Sequence, residues 1–435
     1  MNRRTFLTSS AAWSATVSVH ALPAATGKPA LLGGEPARRS APASWPVFGD
    51  SEERALLGVL RSGKWYRGNG RMVARFEEAY ARLTGAKHCL AVANGTSALL
   101  TALSALGVGP GDEVILPPYT FVATLNVVLE KFALPVFVDS NRETFQMDAR
   151  KLEAKITPRT RAILVVHMAG GAADLDTILA VARKHQIPVI EDACQAHLAE
   201  WRNRKVGTWA TAGCFSFQAS KNLNSGEGGA ILTGNTELFH KCSAFHSNGR
   251  NWHAPAEGYQ HTGLNLRMTE FQAALLISQM ERLEQQSRLR ESNAAYLNFL
   301  FNQIPGIRPA RLHDGCSRHA WHLYMFRYEK NHFHGLPRAQ FLKALNAEGI
   351  PASAGYRPLN KEPLIASALR SPGYQRLFSE AERKSWSERN QCPENDLLCE
   401  EAVWLTQNLL LGSREEMEAI AAAIVKIQRH AKELV

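Results

Sequence analysis

IPVIEDACQAH, residues 187–197, and CFSFQASKNLNSGEGGAI, residues 214–231, are the two stretches that decide how this chain folds. The first is apolar over 187–190 and then turns acidic, the pattern of a short buried strand ending on Asp192. The carboxyl end of such a strand is where an open α/β sheet opens its ligand crevice. Residues 214–217 read as another short strand, and Lys221 follows it beside a loop of Asn, Ser and Gly. Either residue alone is best read as a surface lysine or a capping aspartate, since both types are mostly exposed. Two strand ends carrying an amine and a carboxylate call for more.

Outward from these stretches, strand and helix patterns alternate. KHCLAVAN is a strand, and Gly95-Thr96 opens the helix SALLTALSALG. GDEVILPP, ALPVFVD and TRAILVVHMAG are strands, with TFVATLNVVLEKF and DLDTILAVARKH as helices among them. RMVARFEEAYARLTG has one apolar face and a Gly stop, as a helix does. Such alternation predicts an α/β fold with a mostly parallel sheet flanked by helices. A long helix from Thr269 to about Ser292 leads into a different pattern. GIRPA, HLYMFRYE and EEMEAIAAAIVKIQRHAKEL predict a smaller α+β region there. The expected organisation is a leader over 1–25, a linker over 26–46, a large domain over 47–292 and a small domain over 293–435.

The 435 residues suffice for two or three domains. The formal charge of +10 is dispersed rather than gathered into runs, which fits an acidic or phosphorylated small substrate and not a nucleic-acid partner. Seven cysteines form no CxxC pair and leave one over, so no disulfide framework is expected. Cys89, Cys194 and Cys214 fall in apolar runs and read as buried small hydrophobes. No run is long enough to cross a membrane as a mature helix. The start, MNRRTFLTSSAAWSATVSVHALPAA, carries Arg3-Arg4 and Phe6-Leu7 ahead of an acid-free, small-residue stretch. It resembles a twin-arginine export signal, although Asn2, Thr8 and His20 depart from that pattern. Periplasmic location is therefore expected, with a cytoplasmic protein as the alternative.

The chemistry follows from what the strand ends bring together. Lys221 supplies an amine for a Schiff base, Asp192 a partner for a pyridinium nitrogen, and Ser216 a hydroxyl for a phosphate oxygen. The set suits pyridoxal phosphate. Gly95 and Thr96 begin a helix, where unpaired N–H groups and the helix dipole favour an anion. Phe121 can lie on the pyridine ring, with Tyr119 as its competitor, and Gln195 can reach the ring hydroxyl. His167 and His197 lie near the same edge, and a satisfied core role outweighs catalysis for each. GVGPGD at 107–112 follows a helix and precedes a strand, the reverse of a dinucleotide fingerprint. His313, His319, His322, His332 and His334 match no metal-ligand spacing, so no metal is assigned.

VANGTSALLTAL, PPYTFVAT, DACQAH, FSFQASKN, the GEGGA loop and GLNLRMTEFQAALL, in that order, resemble the DegT/StrS-type sugar aminotransferases of pyridoxal-phosphate fold type I. The resemblance runs from about Trp45 to the C-terminus. VHMAG, HSNGR and CPEND…VWLTQNLLL are most similar to two branches, the glutamine-dependent scyllo-inosose-type aminotransferases and the 3-amino-5-hydroxybenzoate synthases. It implies that Lys221 is the Schiff-base lysine, Asp192 the pyridinium partner and Gln195 the ring-hydroxyl contact. It implies a phosphate site of Gly95, Thr96 and Ser216, a stacking Phe121, and Asn265 supplied by a neighbouring subunit, hence a homodimer. Trp65, Arg67, Tyr356 and Arg357 fall at variable substrate-side segments. The implied reaction is ping-pong transamination from glutamine or glutamate to a keto-sugar or keto-cyclitol. The alternatives are a lyase or dehydratase on the same fold and a non-catalytic cofactor-binding regulator.

Overall fold

The structure, a computed structural model, describes residues 27–253, 259 and 261–435. The leader expected over 1–25 lies outside the described residues.

Seven strands build the large sheet. They are β1 (His88–Val92), β2 (Glu113–Leu116), β3 (Leu134–Phe137), β4 (Thr160–Val166), β5 (Val189–Asp192), β6 (Ala212–Ser216) and β7 (Gly229–Thr233). Their order is β1-β7-β6-β5-β4-β2-β3. The run from β3 to β6 is parallel, while β7 is antiparallel to both of its neighbours. The inner strands are buried along almost their whole length, which is why they read as continuous apolar runs rather than alternating ones. The sheet is thus mostly parallel and flanked by helices, as the alternating pattern predicted.

Helices cover both faces. On one side pack α2 (Met72–Thr84), α5 (Leu175–Lys184) and the first half of α7 (Glu270–Phe301), around Phe76, Ile163, Phe215 and Leu276, with α1 (Asp50–Ser62) held against α7 by the Glu52–Arg282 ion pair. On the other pack α3 (Gly95–Ala105), α4 (Val122–Glu130) and α6 (Thr236–His246), around Leu99, Leu125, Leu164 and Phe239. Helix α7 starts where its N-cap predicts: Thr269 and Gln272 form a reciprocal capping box. It ends nine residues later than expected, because its last turns bury Leu297, Leu300 and Phe301 in a second core. That core covers a four-stranded antiparallel sheet: β8 (Ile307–Pro309), β9 (Leu323–Tyr328), β10 (Ala352–Ser353) and β11 (Ala402–Thr406), in the order β8-β9-β11-β10.

Two segments cross between these cores in ways the sequence pattern did not announce. The stretch expected as a linker is docked: Glu348 accepts from the amides of Ala30 and Ala37 at 2.7 Å each, and buried Arg38 pairs with Glu416. Residues 359–392 return to the large sheet and cover its edge. Trp386 donates to the Pro135 carbonyl at 2.8 Å and Tyr374 to that of Ala133 at 2.7 Å. The segment thereby covers this edge of the sheet, one of the ways an exposed edge is protected.

Candidate active site

The parallel strands all deliver their carboxyl ends to one edge of the sheet. Asp192 ends β5 and pairs in register with Val166 of β4 and Cys214 of β6, two residues short of Ser216. Strand β7 runs the other way, so its first residue, Gly229, sits at that same edge between Val92 and Ser216. A Cβ on Gly229 would lie 2.4 Å from the Asn94 carbonyl carbon and 2.9 Å from the Gly95 nitrogen. Glycine there lets the start of α3 descend onto the sheet. Asn94 caps that helix, accepting from the Ser97 amide at 2.8 Å.

The edge opens into a cavity of about 750 Å³, in the range that holds a small-molecule ligand. Gly95, Thr96, Phe121, Asp192, Gln195, Ser216 and Lys221 all line it. The small sheet supplies the facing wall through His322, Tyr356, Trp404 and Gln407.

The Asp192 carboxylate is buried and held in place. One oxygen accepts from Thr124 Oγ1 at 2.9 Å, the other from the Cys194 amide at 3.2 Å. Thr124 is itself hydrogen-bonded to Thr120, one helical turn away, at 2.9 Å. Gln195 accepts from the Ala169 amide through Oε1 at 2.7 Å, and its Nε2 donates to the Tyr356 hydroxyl at 3.2 Å. Lys221 rides on a closed loop, its amide donating to Gln218 O at 2.8 Å. Burial pushes the Lys221 amine below its usual 10.5, against the opposing pull of Cys194 and Asp192. A lowered amine carries its proton less firmly, so more of it is free to act as nucleophile or to accept a proton at neutral pH.

His322 is the site residue that sequence reasoning passed over. Its Nε2 lies 3.4 Å from Lys221 Nζ, and its Nδ1 lies 3.4 Å from Asn222 Oδ1. Asn222 gives its amide hydrogen to Ala320 O at 2.6 Å, so its oxygen is the atom that faces His322. That network assigns the ring hydrogen to Nδ1 and leaves the Nε2 lone pair toward the lysine. Burial, aided by the Lys221 charge, pushes His322 well below 6.5 and keeps it neutral. Spacing within a histidine-rich stretch held no signal for this role. The nearest clue was its position just ahead of the strand that faces the cavity.

Other expectations resolve differently. Tyr119 is buried in the core, where it accepts from Trp404 Nε1 at 3.0 Å, whereas Phe121 is 57% exposed on the cavity. His167 is spent between Glu191 Oε2 and the Ala173 amide. His197 bridges the Tyr80 hydroxyl and Ser216 O, and burial drives it down to about 4. Cys194, expected as a plain core residue, is only partly buried and lines the cavity. Trp65 and Arg67 are off this chain's cavity; Arg67 pairs with Glu77 and touches His246 Nε2 at 3.2 Å. Arg357 also lies outside the cavity, although Tyr356 lines it. Asn265 is exposed, bridged to Ser247, and does not line the cavity of its own chain.

The residues fit pyridoxal phosphate. A Cβ on Gly95 would meet Ser216 Cβ at 2.7 Å and Cys194 Sγ at 3.0 Å, so only glycine keeps the helix start close enough to Ser216 for both to hold one anion. Fold and cavity together define a fold-type-I pyridoxal-phosphate enzyme. Residues 47–425 match the DegT/DnrJ/EryC1/StrS aminotransferase family, and the chain belongs to that family. It is 38% identical over 420 residues to an L-glutamine:2-deoxy-scyllo-inosose aminotransferase of Streptoalloteichus tenebrarius, covering 93% of this chain and 98% of that one. It is 34% identical over 386 residues to the 3-amino-5-hydroxybenzoate synthase of Amycolatopsis mediterranei, covering 88% and 96%. A crystal structure of 3-amino-5-hydroxybenzoic acid synthase superposes with a TM-score of 0.81 at 33% identity, covering 89% of this chain and 99% of that one. NtdA of Bacillus subtilis, solved with bound PMP, gives 0.74 at 25% identity, covering 90% and 86%. The protein is a pyridoxal-phosphate-dependent aminotransferase.

Proposed function

We propose that this enzyme moves an amino group from L-glutamine to a keto-cyclitol by a ping-pong reaction. The observation that carries the reaction is one cavity holding the depressed Lys221 amine and the anchored Asp192 carboxylate. The choice of substrates is supported by the likeness to scyllo-inosose aminotransferases.

The bound cofactor supplies an electron sink for the carbon that loses its proton. Lys221 Nζ would take the proton from the α-carbon of the amino donor and hold it for delivery on the far side of the carbon–nitrogen bond. His322 Nε2 accepts a hydrogen bond from that amine whenever it is charged, holding it over the reacting carbon. Asp192, fixed by Thr124 and the Cys194 amide, would keep a proton on the ring nitrogen. Gly95 and Thr96 amides with Ser216 Oγ would hold the phosphate, Phe121 would cover the ring, and Gln195 would reach the ring hydroxyl. In the second half-reaction the same groups act in reverse on the keto acceptor.

The active unit in this reading is a homodimer, with Asn265 of each chain completing the phosphate site of the other. Exposed Asn265 and Leu264, and a cavity open at Phe121, support it. The Arg3-Arg4 start supports export, which implies a free rather than nucleotide-linked acceptor. Sequencing the mature N-terminus of fractionated protein tests this, and Met1 intact in the cytoplasm contradicts it.

The function is tested by mixing the purified cofactor-loaded enzyme with single amino donors and following its visible spectrum. L-glutamine converts the cofactor to its amino form, and a keto-cyclitol restores it. A second reading, elimination on the same frame, is supported by the likeness to 3-amino-5-hydroxybenzoate synthase. It needs no amino donor, so product formed without one would favour it.

A further inference from the structure

Arg290 has full burial, in the middle of α7, and no acidic partner among the described residues. Its Nε and one Nη donate to Gln407 Oε1 at 2.9 and 2.5 Å. The other, Nη1, is buried with no partner among the described residues. The face of the guanidinium lies 5.1 Å from the Trp45 ring. Burial lowers Arg290 to about 9, so it remains charged at neutral pH. A buried charge with only neutral contacts is costly to keep. Function is a reason to keep it.

Gln407 is the first residue after β11 and lines the catalytic cavity. A guanidinium only donates, so the oxygen of Gln407 must face Arg290. Its Nε2 hydrogens are therefore turned the other way, and they make no hydrogen bond to a described residue. The cavity gains a donor of fixed orientation with a positive charge behind it. Two connections put that donor beside the reacting amine. Leu323 and Thr406 pair across β9 and β11, bringing Gln407 next to His322, which contacts Lys221. Trp45 donates to Ala219 O at 2.9 Å, in the loop that carries Lys221. The acids on the cavity do not neutralise this wall: Asp192 is engaged by Thr124 and Cys194, and Glu227 lies on the exposed side.

An amino-acid donor must bring its α-carbon to Lys221 Nζ, and its carboxylate is bonded to that carbon. We propose that Gln407 Nε2 binds the α-carboxylate of the amino donor, with Arg290 as the positioning residue that orients the amide and supplies the charge. The proposal rests on the transamination reading above. It makes Gln407 a determinant of donor affinity and gives the neutral acceptor no use for the charge behind it.

The test compares L-glutamine with 4-aminobutanamide, the same molecule without its carboxylate, in the spectral half-reaction of the loaded enzyme. The wild type half-saturates with L-glutamine at a concentration at least about tenfold lower, as befits a hydrogen bond to a charged group. Q407E keeps an acceptor for Arg290 and so keeps the fold, but it turns a carboxylate toward the carboxylate of the donor. It raises the half-saturating concentration of L-glutamine by about tenfold or more and leaves that of 4-aminobutanamide nearly unchanged. The double variant R290M/Q407L leaves no orphaned charge, retains its melting transition, and loses the preference between the two amines. Parallel shifts for both amines, or no shift for either, overturn the proposal. Equal response of the wild type to both amines overturns it while transamination stands. No response of the wild type to either overturns both.

Discussion

At the scale of single residues, the site is a set of ordinary side chains whose neighbours remove their freedom. Asp192 was legible in the sequence because it closes a short apolar run, and the carboxyl ends of such strands are where an open α/β sheet opens its ligand crevice. Lys221 was legible for a similar reason, following a strand into a small-residue loop. The residues that hold them were not. Thr124 sits 68 positions before Asp192, and His322 sits 101 after Lys221; only the folded chain joins them. Thr124→Val keeps the shape and removes the hydroxyl bond to Asp192. Loss of one hydrogen bond to a buried carboxylate is worth about 1.5–3 kcal/mol, so kcat is expected to fall roughly tenfold or more. The melting temperature of the apoenzyme should change far less than activity does. Unchanged kcat would mean that Asp192 needs no such anchor.

At the scale of elements, the strands and helices of the parallel sheet were read from their patterns, since each is long enough to show its period. The misses have physical causes. Strand β7 begins in the GEGGA loop, whose glycines signal a turn before they signal a strand. The helices over 359–392 take their stability from packing on the edge of the large sheet, which no local period reports. Gly229 links the two scales. Gly229→Ala would force its methyl into the Asn94 backbone, and backbone cannot swing aside as a side chain can. Overpacking of this kind costs about 1–3 kcal/mol, and here it also lifts the helix start away from Ser216. The variant is expected to lose both stability and cofactor affinity, read by denaturant unfolding and by titration with pyridoxal phosphate. Intact affinity would show that the close approach of β7 and α3 is incidental.

At the scale of the whole molecule, two sheets meet across one cavity, and buried histidines tie stability to pH. Burial drives His197 to about 4 and His246 and His319 to about 3, all below the usual 6.5. In the window between those values the unfolded chain binds the extra protons, so stability rises with pH and falls as pH drops below 6.5. Each histidine contributes up to about 1.4 kcal/mol per pH unit there. Buried Glu77, raised above 4.5, works in the opposite sense. Denaturant midpoints at pH 7 and pH 5 should show clear acid destabilisation, and equal midpoints would contradict it. The assembly is tested at the same scale. Sedimentation should give a dimer, and Asn265→Asp should weaken cofactor binding by setting a carboxylate against the phosphate. A fully active monomer would remove Asn265 from the site.

All of this turns on Lys221 as the amine that carries the cofactor. Borohydride reduction of the loaded enzyme fixes the cofactor to whichever amine holds it, and digestion with mass spectrometry finds the peptide. The account predicts the added mass on Lys221 alone. The same mass on another lysine, with Lys221 unmodified, would contradict it.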